Sequence, residues 1–198
     1  MRLAQPGAPR AVTSEQDALV AVVRTLEHLR IPYMVTGSVA SSFHGRPRST
    51  HNADIVIDPS PEQLDALVDR LDAARYYVDA ASARDAFGRR LQFNAIETRS
   101  AFKIDLILRK DRPWSHEELA RRQAAELSPG VAVSLASPED TILSKLEWAK
   151  KAGRSEKQID DAAGVVAVNP GLDRAYAERW ARELGVLDLW REIAGDAL

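Results

Sequence analysis

The 198-residue chain contains no cysteine. This absence excludes a disulfide framework, a thiol nucleophile and a zinc–thiolate site. An excess of one charge is also missing, because 27 basic and 29 acidic residues leave a net charge of -2, which creates no global field to attract nucleic acid or an anionic membrane. No run approaches the roughly 20 apolar residues of a membrane span, and the N-terminus lacks the apolar centre of a signal peptide. We therefore expect a cytoplasmic protein with no membrane partner.

The order of its segments predicts an α/β fold followed by helices. Residues 1–13 are predicted to be a loose tail, and residues 14–136 alternate amphipathic helices with short apolar runs, which is typical of a mixed sheet. From residue 137 a Ser-Pro cap precedes apolar positions at helical spacing, and the remainder is predicted to be helical. We expect this C-terminal region, residues 137–198, to pack on the α/β core and to line one wall of a cleft.

Short apolar runs bounded by turn residues mark the predicted strands. These are residues 32–36, 53–57, 76–79, 91–97, 102–108 and 131–135. The fourth and fifth runs are separated by a short polar turn, so they are predicted to form a hairpin. The last run is predicted to be an edge strand.

Two strands carry acidic residues at positions that are costly to bury. Side chains two apart on a strand share a face, so Asn52 and Asp54 are expected to lie side by side. Asp105 interrupts an apolar strand, where an unpaired carboxylate is unfavourable unless it is paired or binds a metal. If the strands are neighbours, Asp54 and Asp105 can share one divalent cation, and oxygen ligands suit magnesium. The alternative is that each carboxylate is solvated or paired with Arg48 or Lys103.

A Gly37-Ser38 turn follows the first predicted strand and opens a short helix. Free backbone N–H groups and the helix dipole favour an anion at such a place, and glycine allows close approach of a phosphate. An ordinary tight turn is the alternative reading. Arg48 can contact a phosphate or a nucleic-acid backbone, or pair with Asp58.

Taken together, these features resemble the minimal nucleotidyltransferases, which belong to the DNA polymerase beta-like nucleotidyltransferase superfamily and include members of bacterial toxin–antitoxin and abortive-infection systems. That family has Gly-Gly or Gly-Ser on a short helix, Asp-x-Asp on the next strand and a third Asp on a later strand. Here Gly37-Ser38, Asn52-x-Asp54 and Asp105 occupy those places. The resemblance covers about residues 33–108 and implies a mixed-sheet nucleotidyltransferase core.

The resemblance implies a two-metal, magnesium-dependent transfer from a nucleoside triphosphate such as ATP to a hydroxyl of RNA, a protein or a small molecule. Asp54 would hold metal, and Asp105 would hold the second metal and help to activate the acceptor. Ser38 and the Gly37 backbone would bind the β- and γ-phosphates.

The helical tail also looks like the extension of many members, in which residues such as Glu139, Lys145 and Lys150 face the nucleotide. Lys145 is the candidate for a phosphate or base contact, with a solvated lysine as the alternative. Trp148, Trp180 and Trp190 occupy apolar helical positions and are predicted to pack in the core.

Position 52 departs from the family pattern, because Asn replaces the first Asp. Asn can ligate a metal through its carbonyl oxygen but removes one negative charge from the site. The sequence therefore leaves two hypotheses open. One is a nucleotidyltransferase impaired by Asn52, and the other is a non-catalytic binding or regulatory module that acts with a cognate partner protein, such as half of a toxin–antitoxin pair.

Overall fold

The structure is a computed structural model that describes residues 14–128 and 130–195. The predicted tail, residues 1–13, lies outside the described residues. In chain order the elements are α1 (Ser14–His28), β1 (Tyr33–Thr36), α2 (Gly37–His44), β2 (Asn52–Ile57), α3 (Pro61–Ala74), β3 (Tyr76–Val78), α4 (Ala80–Arg89), β4 (Gln92–Glu97), β5 (Lys103–Leu108), α5 (Pro113–Ala120), β6 (Gln123–Ser128), β7 (Val131–Leu135), α6 (Pro138–Lys151), α7 (Glu156–Val168), α8 (Arg174–Glu183) and α9 (Leu187–Ala194).

A mixed sheet of seven strands organises the molecule, in the order β3-β4-β5-β2-β1-β7-β6. β2 runs antiparallel to β1 and parallel to β5, so the centre of the sheet combines both pairing modes. β4 and β5 pair antiparallel, which confirms the predicted hairpin. The predicted α/β fold class with a mixed sheet is therefore confirmed.

The prediction that residues 131–135 form an edge strand is wrong. β7 pairs parallel with β1 through Val35 and Leu135, and it pairs antiparallel with β6 on its other side. The edge on this side of the sheet is β6, which the sequence analysis did not identify. Its residues are exposed or half-buried and show little apolar alternation, as is common at the edge of a sheet.

Two hydrophobic clusters hold the fold together. The first lies between the sheet and the helices α1, α3 and α4. The second joins the C-terminal helices and includes Trp114 of α5, whose indole N–H donates to Asp140 Oδ1 at 3.2 Å. α5 was absent from the sequence analysis. None of the described helices is long and apolar enough to cross a membrane.

The C-terminal helices pack against α2, the helix that begins at the Gly37-Ser38 turn. The His44 ring lies 2.7 Å from Ala136 O, and Asn169 Nδ2 donates to His44 O at 2.7 Å. Gly45 permits this close approach, because a Cβ there would lie 3.0 Å from the backbone nitrogen of Val165. The start of α2 is thereby placed between the sheet and the pair of helices α6 and α7.

Candidate active site

The pairing of three central strands brings the predicted polar residues together. Asp54 is directly opposite Asp105 in the parallel β2–β5 register and opposite Thr36 in the antiparallel β1–β2 register. Residues paired in this way present their side chains on the same face of a sheet. Asn52 lies two residues before Asp54 and shares that face. The side chains of positions 52, 54 and 105 therefore converge beside the start of α2.

Asn52 contacts both carboxylates. Its Nδ2 donates to Asp105 Oδ2 at 3.0 Å and to Asp54 Oδ1 at 3.5 Å, and the Thr50 hydroxyl donates to its Oδ1 at 3.2 Å. This network defines the orientation of the amide, since the reversed orientation would place its oxygen against two carboxylates. A neutral donor thus lies between the two acids.

Burial raises the pKa of Asp54, and the nearby Asp105 raises it further. A nearby negative charge disfavours the charged form of a buried carboxylate. Asp105 is 4% exposed, and Lys103 Nζ lies 3.0 Å from its Oδ1 with angles that do not make a hydrogen bond. The alternative ion pair between Lys103 and Asp105 is therefore present, at the open edge of the same site.

Glycine is required at position 37 because of its contact with Asp54. Gly37 has φ of +61°, and a Cβ at this position would lie 1.9 Å from Asp54 Oδ2. The Ser38 backbone N–H donates to the Asp54 carboxylate, which consequently caps α2 at the positive end of its dipole. The turn and the β2 carboxylate thus form one unit.

A further carboxylate, Asp161 of α7, was missed by the sequence analysis. Its Oδ2 lies 2.8 Å from both Arg48 Nη2 and Lys145 Nζ, and its Oδ1 accepts from Arg48 Nε at 3.1 Å. Arg48 Nη2 also donates to Ser38 Oγ at 2.7 Å. A sequence signal did exist, because Asp161 lies three and four residues before the buried Gly164 and Val165 and so shares their face of α7.

The charges of this network are well defined. Burial would raise the pKa of Asp161, but hydrogen bonds from Arg48 and Lys145 overcome that effect and lower it. Lys145 is 3% exposed, so the alternative of a solvated lysine is wrong. Arg48 pairs with Asp161 and not with Asp58, which is held by Arg90 and Arg109. One anion therefore organises both cations next to Ser38.

The seven residues predicted for the site line a single cleft of about 700 Å³. They are Gly37, Ser38, Arg48, Asn52, Asp54, Asp105 and Lys145. Glu139 and Lys150 do not line it. Glu139 Oε1 accepts from the Asp173 backbone N–H at 2.9 Å, and Lys150 Nζ donates to Gly185 O at 3.0 Å, so both connect helices of the C-terminal region.

Two further acids, Glu118 and Glu147, line the cleft, and their pKa values are shifted in opposite directions. Burial, with a contribution from Asp140, raises the pKa of Glu118 to about 8. Burial would also raise the pKa of Glu147, but hydrogen bonds from Arg112 and Lys151 lower it to about 2. The Arg112–Glu147 pair is bidentate, with distances of 2.7 and 2.8 Å. Glu118 is therefore neutral over much of the pH range in which Glu147 is charged.

The three C-terminal tryptophans have different environments. Trp190 is 4% exposed and Trp180 is partly buried, and both pack in the second hydrophobic cluster. Trp148 is 53% exposed and lines the cleft, so its predicted core packing is wrong. On α6, Trp148 lies outside the face that carries the buried Leu143 and Leu146.

The donor set fits a magnesium ion shared with a nucleotide. The described residues contain no group of three His, Cys, Asp or Glu side chains that could hold a metal. Two carboxylates and one amide carbonyl are available, and Mg²⁺ commonly uses one or two carboxylates together with substrate phosphates and water. For Asn52 to join as a ligand, its amide must turn so that Oδ1 replaces Nδ2 between the acids.

Comparison with known proteins shows the fold. No protein-family model and no curated protein sequence matches the chain. The solved structure of an antigenic nucleotidyltransferase-like protein from Paracoccidioides brasiliensis aligns with a TM-score of 0.54 and 16% identity, covering 94% of each chain. ANT(2")-Ia, in complex with adenylyl-2"-tobramycin, aligns with a TM-score of 0.58 and 15% identity, covering 87% of this chain and 98% of that one. The protein therefore has the nucleotidyltransferase fold.

Proposed function

We propose that the protein is a magnesium-dependent nucleotidyltransferase, which moves a nucleoside monophosphate from a nucleoside triphosphate to an acceptor hydroxyl. The observation that carries this proposal is the direct pairing of Asp54 and Asp105 on adjacent strands, beside a helix start that only glycine allows. A fold alone does not define an activity, and the proposal therefore rests on this local arrangement.

The phosphates of the substrate are assigned to the cationic side of the cleft. Ser38 Oγ, Arg48 and Lys145 form a continuous group of donors next to the N-terminus of α2. Asp161 contacts both cations but balances only one of their two positive charges. A bound triphosphate adds negative charge that both cations can stabilise, and Asp161 keeps them in position for it.

The reaction requires an acceptor hydroxyl to attack the α-phosphorus in line. The new O–P bond forms as the bond to the bridging oxygen breaks and pyrophosphate leaves, and Asp105 takes the hydroxyl proton. Asp54 and Asp105 would hold Mg²⁺, which when bound neutralises the charge that develops on the phosphate oxygens. Arg48 and Lys145 stabilise the departing pyrophosphate.

A specific observation also favours the second candidate, a non-catalytic nucleotide-binding or regulatory module, such as one half of a toxin–antitoxin pair. The amide of Asn52 lies between the two carboxylates and donates to both. This interaction stabilises the acids without a metal. It also competes with metal binding, because the amide must turn before an ion can be ligated there.

A transfer assay with α-labelled ATP and Mg²⁺ separates the candidates. Total cellular RNA, total protein and tobramycin serve as the acceptors, with the wild type, Asn52→Asp and Asp54→Ala compared. Label transfer by the wild type, but not by Asp54→Ala, supports the enzyme. MgATP binding by the wild type without transfer supports the regulatory module, and transfer gained by Asn52→Asp then identifies Asn52 as the cause of inactivity. Absence of triphosphate binding by the wild type would contradict both candidates.

A further inference from the structure

An exposed indole lies in the wall of the cleft, one helical turn from the proposed phosphate site. Trp148 follows Lys145 by three residues on α6, and both line the same cleft. Residues three apart are neighbours on a helix surface, displaced by about 4.5 Å along its axis. Since 53% of Trp148 is exposed, the ring is available to a ligand that also reaches Lys145.

The neighbours of Trp148 hold it at the cleft surface. Lys151 Nζ lies 5.9 Å from the ring centroid and 2.8 Å from Glu147 Oε1. Glu147 in turn accepts two hydrogen bonds from Arg112, which precedes α5. The side chains before and after the indole are therefore anchored by ion pairs, which limits how far this turn of α6 can move.

The neighbouring helix contributes a polar side chain to the same cleft. Gln158 of α7 lines the cleft, and its Oε1 is buried with no hydrogen-bond partner among the residues that the structure describes. An unpartnered buried acceptor is unfavourable unless a donor reaches it. α6 and α7 thus present an inner layer, Lys145 and Asp161, and an outer layer, Trp148 and Gln158.

We infer that Trp148 and Gln158 form the subsite for the nucleobase of the bound triphosphate, an inference that rests on the proposed function. The inner layer takes the phosphates, and the outer layer, about 4.5 Å further along α6, takes the base of the same molecule. The indole stacks on the base, and the Gln158 side chain turns so that its Oε1 accepts from an exocyclic amino group. The acceptor substrate then enters from the Asp105 side of the cleft.

Calorimetric titration with two probes tests the stacking contact. MgATP carries a base, whereas magnesium tripolyphosphate carries only the phosphates. We expect Trp148→Ala to weaken MgATP binding roughly tenfold and to leave tripolyphosphate binding unchanged, since one base–aromatic contact corresponds to a change of about this size. Trp148→Phe retains a ring and should lose less. Tyr77→Ala is the matched control, because Tyr77 is 61% exposed on β3 and lies outside the cleft.

A second pair of ligands, ATP and inosine triphosphate, tests the Gln158 contact. Gln158→Leu should weaken binding of ATP but not of inosine triphosphate, which lacks the exocyclic amino group. Equal effects on these two triphosphates would contradict the role of Gln158.

Three outcomes would overturn the Trp148 assignment. One is an equal loss for ATP and tripolyphosphate, and another is no loss for either. The third is an unchanged ATP affinity with a raised KM for the acceptor in the transfer assay, which would show that the acceptor contacts the indole. In these cases wild-type binding of MgATP leaves the proposed function intact. Wild-type failure to bind either probe would contradict the inference and the proposed function together.

Discussion

Gly37 leaves no space for a side chain between its α-carbon and the Asp54 carboxylate, since a Cβ would lie 1.9 Å from Oδ2. The turn at the start of α2 and the acid on β2 therefore depend on each other. A substitution at position 37 must move Asp54, which changes its position relative to Asp105.

Gly37→Ala should consequently reduce both nucleotide affinity and stability. The left-handed backbone alone costs about 1–2 kcal/mol for a residue with a Cβ, and displacement of Asp54 adds to this. Gly153→Ala is a matched control, because Gly153 has φ of +66° and no atom within 4 Å of the added Cβ. Urea unfolding and MgATP titration of both variants measure the difference. Equal stability loss with unchanged MgATP affinity in both would contradict the coupling of Gly37 to Asp54.

Asp161→Asn should destabilise the protein by about 2–4 kcal/mol, because it leaves the buried Lys145 ammonium without its anion. Added magnesium tripolyphosphate should restore part of this loss, since its charge replaces that of Asp161 beside the cations. Asp160→Asn removes the same charge from an exposed neighbouring position and should have little effect. The readout is the melting temperature with and without tripolyphosphate, and a tripolyphosphate-induced rise no larger than in the wild type would argue against an anion site here.

Asn52→Asp should change stability in opposite directions with and without metal. In EDTA a third carboxylate replaces the amide that donates to Asp54 and Asp105, so like charges repel and the melting temperature falls. Saturating Mg²⁺ should reverse the fall, because an ion bound only by the native state at about 100 times its dissociation constant adds roughly 2.7 kcal/mol. Gln123→Glu on β6 adds the same charge at an exposed position and should show no Mg²⁺-dependent rise.

Stability should depend on pH through Glu118. Its pKa is raised to about 8 in the folded state, against about 4.3 for an unperturbed Glu, so the native protein holds a proton that the unfolded chain releases. This contribution is complete below about pH 4 and is lost as the pH rises to about 8, by an amount on the order of a few kcal/mol. Asp140 contributes in the same direction, because burial raises its pKa as well.

Glu118→Gln should remove the Glu118 part of this slope and make the variant more stable than the wild type at pH 9. Glu117→Gln, one residue earlier, is the control, since Glu117 pairs with Arg179 near the surface. Urea unfolding at intervals from pH 4 to pH 9 gives the slopes. An unchanged slope in Glu118→Gln would show that other groups produce the dependence.

The sequence by itself determined the secondary structure around the site and the chemical types of its residues. The apolar runs around Asp54 and Asp105 predict two strands. They also predict that the two acids lie close together, since an isolated buried carboxylate is unfavourable. The Gly37-Ser38 turn marks the helix that precedes the strand of Asp54. These features depend on neighbours within a few positions, which a sequence shows directly.

Only the tertiary structure decided which distant side chains meet. The β2–β5 pairing aligns Asp54 with Asp105, and the packing of α6 and α7 on α2 brings Asp161 to Arg48 across 113 positions. The tertiary structure also distinguishes the roles of the candidate tail residues. Lys145 is buried in the cleft, whereas Lys150 and Glu139 connect helices. Helical periodicity fixes which face a residue occupies but not what covers that face. For this reason Trp148 has the same local pattern as a core residue and yet lies exposed in the cleft.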